Sequence, residues 1–596
     1  MSALTPRAFL IALLVMGGVA VFFELGRMDV VSDNEGQRAA PPAEMLRSGS
    51  YVTPTLNGRV YLAKPPLLYW VIAVVYAVTG YINEWTARIP TAACSLTLVL
   101  CVYFAFRRHA GEGPARWTAI ALLASPYFLE RSRWAGLDVP LSLATFCCMM
   151  ASYAAWTAES RRRRWTMAVL GGVALAAATL LKGPVPYLFL TCSFLAFCVM
   201  EGGNTLTALR IGVKWTIVAF IVGWLLWWPL SVRFPVPVAL LAAAWIALAL
   251  RYGGGALRRS WALFLVTLLC GVGLTVPWAA AVLSENGWDF IQTLLHSEVI
   301  ERTHTATRIN SGSPFYFLIA LPFMLAPWGF LLPFHASRRQ WTEGAPIQRF
   351  ALLAGWLSVA VFSLIAGKEY EYILPIIPVL LLPTGFHLSD FEQGRITGWL
   401  RPYAEWWTRL LLPLMPAAAV GLLLYGAIRY PSIPLFTELT LLAVLAGGAA
   451  FWRRGYTPSA ALTRIVLGAL AAILASLLIR SFHYTGDRSP KEMARLCGRI
   501  MEAGYPVEAT KIYPAFTFYA GRPIPETVDE TVINAKLRSG TPYFYLTRRQ
   551  FMGMVQGLGA EDGPKIIAGP VTNKDLVLIG NTDDEIPSQH SFVPMR

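Results

Sequence analysis

Apolar residues gather into long runs separated by short polar connections, at about 8–25, 86–106, 116–130, 139–157, 165–181, 184–200, 212–231, 235–250, 261–283, 314–334, 349–367, 372–387, 409–428, 434–452 and 461–480. A helix needs about 20 apolar residues to cross the hydrocarbon core of a bilayer, so the pattern predicts a polytopic α-helical membrane protein. Counting every run gives fifteen spans, and thirteen if several short or Pro-separated runs, notably the pair around Arg233–Pro237, do not each cross. The stretch Leu67–Val78 is too short to span and is expected to lie along the outer interface or to re-enter. Past Arg480 the pattern changes. Short apolar stretches at Ala509–Tyr513, Tyr543–Leu546 and Leu576–Ile579, with helical patterning over Lys491–Ala503, predict a small mixed α/β domain. The expected division is a membrane domain over 1–484, including an outer loop at 26–85, and a soluble domain over 485–596 on the outer side.

Composition agrees with the pattern: 56% of the 596 residues are hydrophobic and 14% charged, and the mean hydropathy is +0.51. These values exclude a soluble multidomain enzyme. Alternate connections carry Arg107–Arg108, Arg161–Arg164, Arg258–Arg259, Arg338–Arg339 and Arg453–Arg454, a positive-inside signature if the N-terminus is cytoplasmic. The net charge of +15 is thus topological, and no nucleic-acid partner is expected. Arg7 before an apolar run resembles a signal sequence, but Phe22-Phe23-Glu24-Leu25 offers no small-residue cleavage site, so an uncleaved first helix is expected. Seven of the eight cysteines lie within apolar runs, which predicts neither disulfides nor a cysteine metal site.

The unusual polar residues cluster on the outer side. The first outer loop carries Asp33 and Glu35, then Lys64-Pro65-Pro66-Leu67-Leu68-Tyr69-Trp70. Carboxylates just beyond a membrane helix are candidates for a base at the lipid-water boundary. Asp138 opens an apolar run, where a carboxylate facing lipid would cost a few kcal/mol and one facing a polar cavity would not. Lys182 and Lys368 also sit at outer membrane edges, where the positive-inside rule makes lysine unexpected; with Lys64 and Arg302 they are candidates for an anion site.

Taken in order, Asp33-Asn34-Glu35-Gly36, Glu44-Met45-Leu46-Arg47-Ser48-Gly49, Pro54-Thr55-Leu56-Asn57-Gly58, Lys64 through Trp70, Ala87-Arg88-Ile89-Pro90, Asp138, Lys182-Gly183-Pro184, Pro277-Trp278, Pro327-Trp328 and Lys368 through Pro375 resemble the bacterial lipid-linked-sugar glycosyltransferases of the GT-C class, related to the lipid A aminoarabinose transferase and to protein O-mannosyltransferases. The resemblance covers about Phe22 to His387. It implies transfer of a sugar from a polyprenyl-phosphate carrier to a lipid A-like lipid, a glycan or a protein, on the periplasmic face of the bacterial inner membrane. Asp33 or Glu35 would be the base or acceptor-positioning group and Asp138 a second carboxylate. Lys64, Arg302 and Lys368, with Lys182, would surround the departing phosphate, and Tyr69, Trp70, Tyr370 and Tyr372 would flank sugar or isoprenoid. Two positions depart from the family pattern: Asn34 separates the two loop acids, and Ala63 stands where an acid linked to divalent-metal binding often precedes the Lys-Pro motif. The metal requirement, the sugar and the acceptor are left open. A secondary transporter or flippase for an anionic lipid or solute is the alternative. It predicts ionisable residues near the bilayer midplane and repeated halves with broken helices. A scaffold role for the outer domain is a third reading.

Overall fold

A computed structural model describes residues 4–201, 255–295, 315–365, 368–396, 400–430, 438–439, 457–483, 489–560, 563–571 and 575–581. Among these, eight helices are long and apolar enough to cross a membrane. The runs predicted at 212–231 and 235–250, most of the run at 434–452, and Arg302 lie outside the described residues.

The chain opens with α1 (Pro6–Phe22), then α2 (Asp33–Ser48), the short strands β1 (Thr55–Leu56) and β2 (Arg59–Val60), and α3 (Leu67–Thr79), the short apolar segment. It continues with α4 (Glu84–Ala110), α5 (Glu112–Leu123), α6 (Pro126–Ser132), α7 (Asp138–Thr157), α8 (Arg161–Lys182), α9 (Val185–Glu201) and α10 (Gly255–Leu295). After α11 (Tyr316–Met324) come a 3-10 segment (Trp328–Ala336), α12 (Arg338–Thr342), α13 (Pro346–Leu364), a second 3-10 segment (Tyr370–Ile376), α14 (Ile377–Glu392), α15 (Leu400–Arg429) and α16 (Pro458–His483).

Two runs predicted as single spans are divided. The run at 116–130 breaks between α5 and α6 at Ser125-Pro126, and the run at 314–334 breaks after Met324 with Pro327 and Pro333 following. Proline has no N–H to continue the ladder and pushes the preceding residue out of helical conformation, whatever the hydropathy.

Helix α7 packs along α8, α8 along α10, α5 along α14 and α15 along α16. Lipid offers no hydrophobic drive for such pairs, and small residues allow the approach. A Cβ on Gly172 of α8 would stand 2.4 Å from the Cβ of Cys270 on α10.

The C-terminal sheet domain comprises α17 (Lys491–Glu502), β3 (Val507–Ala509), α18 (Pro514–Ala520), α19 (Glu530–Leu537), β4 (Phe544–Arg548), β5 (Lys565–Val571) and β6 (Leu576–Gly580). The sheet order is β3-β4-β6-β5, with β3 parallel to β4 and the other pairs antiparallel. The parallel pair requires a crossover, which α18 and α19 supply. Val507, Phe544, Leu546 and Leu578 turn onto Met493, Ala494 and Ile500 of α17, while Tyr545, Val577 and Ile579 pack with Ile533 and Leu537 of α19, so the central strands are covered on both faces and read in the sequence as short continuous apolar stretches.

On β3, Glu508 accepts from Thr527 Oγ1 (2.6 Å), Tyr543 OH (3.0 Å) and Lys536 Nζ (2.5 Å). Burial raises its pKa, but the bonds from Lys536, Thr527 and Tyr543 outweigh burial and hold the carboxyl below the ordinary glutamate range. A depressed folded value means the unfolded chain binds the extra proton first on acidification. The stabilisation is present above the unfolded value and is lost as pH falls through the folded one. Glu508→Gln is expected to flatten this acid limb by up to about 1 kcal/mol, because Lys536 is partly exposed. Exchange of the β4 and β6 amides from neutral to acidic pH measures it.

Helix α18 packs against α2. An apolar cluster joins Ala39, Ala40 and Ala43 of α2, Leu68 and Ile72 of α3, Leu137, and Ala515 and Phe518 of α18. The sheet domain therefore sits on the same side as the first loop. At the contact a Cβ on Gly36 would stand 2.3 Å from the Ala515 backbone nitrogen. Gly36→Ala is expected to force the two backbones apart and cost about 1–3 kcal/mol by overpacking; a melting curve in detergent checks it.

Candidate active site

Antiparallel packing brings the N-terminus of α7 and the C-terminus of α8 to the same end of the molecule. Asp138 is the first residue of α7 and Lys182 the last of α8, so each charge complements its own helix dipole. The two also pair, with Lys182 Nζ 2.7 Å from Asp138 Oδ1 and both side chains nearly buried. Glu371, in the second 3-10 segment, stands 3.8 Å from Lys182 and 3.7 Å from Arg131 of α6.

Helix α2 completes the site from the other side. Ser32 is the residue before it, Asp33 and Glu35 lie in its first turn, and Gly49 ends it in left-handed conformation, its N–H bonded to the Met45 carbonyl. Glu35 is buried and accepts from Arg88 of α4 at both oxygens, Nε–Oε1 2.7 Å and Nη2–Oε2 3.0 Å, and from the Ala135 N–H at 2.9 Å. Arg88 also donates to the carbonyls of Leu25 (2.9 Å) and Met28 (2.6 Å). One turn further along α2, Arg38 donates to Tyr69 OH at 3.1 Å.

These groups line one pocket: the carboxylates Glu35, Asp138 and Glu371 and the cations Arg38, Lys64, Arg131 and Lys182, with Asn34 and Trp134. Its lining carries one more cation than carboxylates. Beside it, Tyr370 stacks on Tyr316 at 5.2 Å and meets the edge of Tyr127 at 6.2 Å. The Arg131 guanidinium lies over Tyr127 and Trp134 at 5.1 and 5.3 Å. A second cavity, with about 1040 Å³ of empty space partly open to solvent, shares Glu35 and Trp134 with the first. The arginines around it are engaged: Arg133 with the carbonyls of Ala20, Val21 and Phe23, and Arg480 with Glu130.

Of the residues expected from sequence, Glu35, Asp138, Lys64 and Lys182 come together in the pocket. The others stand outside its lining. Asp33 is an exposed acid at the start of α2. Lys368 is buried and its Nζ donates to the Ile365 carbonyl at 2.8 Å. Tyr69 is buried under Arg38, and Trp70 donates to the Tyr51 carbonyl at 2.7 Å. Tyr372 faces Lys182, with Nζ 5.4 Å from the ring, and Tyr370 belongs to the aromatic group. Arg302 lies outside the described residues. Sequence reasoning passed over Arg38, Arg131 and Glu371, and over Arg88, the residue that occupies both oxygens of Glu35.

Among the described residues no group of three His, Cys, Asp or Glu side chains comes together that could hold a metal ion. The pocket carboxylates face Arg and Lys instead, and Ala63 supplies no ligand. The described residues therefore do not fit a resident divalent ion.

Residues 63–228 match the family described as dolichyl-phosphate-mannose-protein mannosyltransferase. The undecaprenyl phosphate-alpha-4-amino-4-deoxy-L-arabinose arabinosyl transferase of Pseudomonas aeruginosa is 28% identical over 450 residues, 74% of this chain and 71% of that protein. The protein of the same description from Shewanella sediminis is 25% identical over 371 residues. The match takes in 62% of this chain and 58% of the Shewanella protein's length. The crystal structure of ArnT from Cupriavidus metallidurans bound to undecaprenyl phosphate superposes with a TM-score of 0.67 at 22% identity, covering 97% of this chain and 99% of that one. The chain is a multi-pass membrane protein with the fold of that ArnT structure, and its sequence is similar to the aminoarabinose transferases over most of its length.

Proposed function

We propose that the chain transfers a sugar from a polyprenyl-phosphate carrier to a lipid A-like acceptor at the periplasmic face of the inner membrane. The observation that carries this reading is the pocket where the N-terminus of α7 meets the C-terminus of α8, lined by Lys64, Arg131 and Lys182 together with Asp138 and Glu371. The acceptor hydroxyl oxygen forms a bond to the anomeric carbon, and the bond from that carbon to phosphate oxygen breaks. The electron pair leaves with the polyprenyl phosphate, and the hydroxyl proton passes to a carboxylate. An anionic leaving group needs positive charge rather than a proton donor, and cations fixed before reaction cost no reorganisation. Lys64, Arg131 and Lys182 supply that charge.

The carboxylates divide the remaining work. Both Glu35 oxygens are held by Arg88, so Glu35 fixes the pocket wall. Asp138 orients Lys182. Glu371, with its cation neighbours at 3.7 and 3.8 Å, beyond hydrogen-bond distance, is the carboxylate best disposed to take the acceptor proton. Tyr370 with Tyr316 offers an apolar face for sugar or isoprenoid. The charged groups gather at one end of the helices, which favours this reading over the transporter.

Lys64 lines the pocket, and Pro65 after it holds its backbone extended. Lys64→Ala is expected to lower turnover by roughly tenfold to over a hundredfold, the equivalent of one charge-assisted contact on the leaving phosphate, about 1.5–3 kcal/mol. The measurement is transfer by purified protein in liposomes with a panel of polyprenyl-phosphate sugars and lipid A. Wild-type turnover in the variant would remove Lys64 from the phosphate site, and no transfer by the wild-type chain from any donor would overturn the reading.

A further inference from the structure

Among the described residues the C-terminal sheet domain contributes no side chain to the pocket lining, yet it grips the segments that build the pocket wall. Lys491, the first residue of α17, places its ammonium 2.9 Å from Asp29 Oδ1 and 2.5 Å from Glu84 Oε1. Both carboxylates are buried. Tyr519 at the end of α18 donates its hydroxyl to Glu84 at 2.9 Å and accepts from the Val30 N–H at 2.7 Å. Its ring lies against the same ammonium at 5.6 Å.

Each gripped position leads directly into an element of that wall. Asp29 and Val30 run within three residues into α2, which carries Asn34, Glu35 and Arg38 to the pocket. Glu84 lies in the first turn of α4, one helical turn before Arg88, so the two share a face. Lys491 therefore holds both the chain that presents Glu35 and the helix that presents its partner. The close approach of Gly36 to Ala515 leaves α2 little room to shift sideways. Farther along the loop, Asn57 exchanges two hydrogen bonds with the Ile524 backbone, at 2.9 and 2.8 Å.

We propose that Lys491 is a positioning residue for sugar transfer: by clasping Asp29 and Glu84 it sets the entry of α2 and the Glu35–Arg88 wall of the pocket. This rests on the transferase reading for its effect on rate, but not for its effect on the loop. An enzyme that must hold two lipid substrates in register loses rate steeply when one wall of the site drifts.

The test uses the full chain in detergent or liposomes with two variants, Lys491→Met and Tyr519→Phe, and Lys491→Arg as the conservative control. In Lys491→Met, kcat is expected to fall by about tenfold or more with the donor KM within about threefold, and Lys491→Arg to recover part of the loss. Hydrogen exchange of the amides at 30–36 is expected to speed up by about tenfold or more while β4 and β6 remain protected, a local opening rather than loss of the domain. Unchanged exchange at 30–36, or wild-type kcat in the methionine variant, overturns the proposal, as does exchange rising equally in β4 and β6. Should Lys491→Met fail to fold, Tyr519→Phe, which keeps the ring, decides by the same two measurements. If the wild-type chain transfers no sugar, the functional reading fails, and the exchange experiment still decides whether Lys491 holds the loop.

Discussion

Replacing Arg88 by methionine should lower the stability of the protein by about 3–5 kcal/mol, the range for removing one partner of a buried ion pair. Arg88 and Glu35 are each about 1% exposed at the side chain, so the loss leaves a carboxylate that water cannot reach. Glu35 would keep only the Ala135 N–H. The carbonyls of Leu25 and Met28 would lose their donor as well. The double variant Glu35→Gln/Arg88→Met should recover most of the stability, because replacing both partners removes the uncompensated charge. It should not recover transfer, since α2 is then held less firmly. Thermal melting of the purified protein, read together with turnover, separates the two effects. A single variant that melts with the wild type would show that this wall of the pocket is maintained by packing alone.

The membrane domain was legible because bilayer thickness sets run length, and run length can be counted without knowing any contact. What hydropathy could not supply was where a run breaks, because Pro126 interrupts an apolar stretch without making it less apolar. The C-terminal strands were legible as short apolar stretches, and β3, β4 and β6 fall on or beside the three of them.

In the site, Asp138 and Lys182 stood out as charges at the ends of apolar runs, and antiparallel packing of α7 on α8 is what makes them meet. Arg88 carried a signal that was not used: an arginine near the start of a predicted span needs a buried anion, and Glu35 stands in the adjoining loop. Glu371 lines the pocket and Lys368, three residues earlier in the same motif, does not. Glu371 lies within the 3-10 segment Tyr370–Ile376 and Lys368 before it. Lys368 instead closes back on Ile365, which sequence spacing does not reveal.

Glu371→Gln should lower kcat by about 10²- to 10⁴-fold, the usual contribution of a positioned proton acceptor. The substitution keeps the size of the side chain and removes its negative charge together with its ability to take a proton. Lys182 remains bonded to Asp138 at 2.7 Å, so the cations proposed to hold the phosphate stay in place. The donor KM should therefore change by no more than about threefold, a split that marks an interaction made in the transition state rather than in binding. Asp138→Asn should behave differently, because it releases Lys182 toward Glu371 at 3.8 Å and so raises the donor KM along with lowering kcat. The acid limb of the pH–rate profile decides between the two carboxylates. It should disappear in Glu371→Gln, measured at saturating acceptor, and persist with reduced amplitude in Asp138→Asn. If Glu371→Gln turns over within about threefold of the wild type, the proton goes to another carboxylate, and Glu371 serves only to balance Arg131 and Lys182.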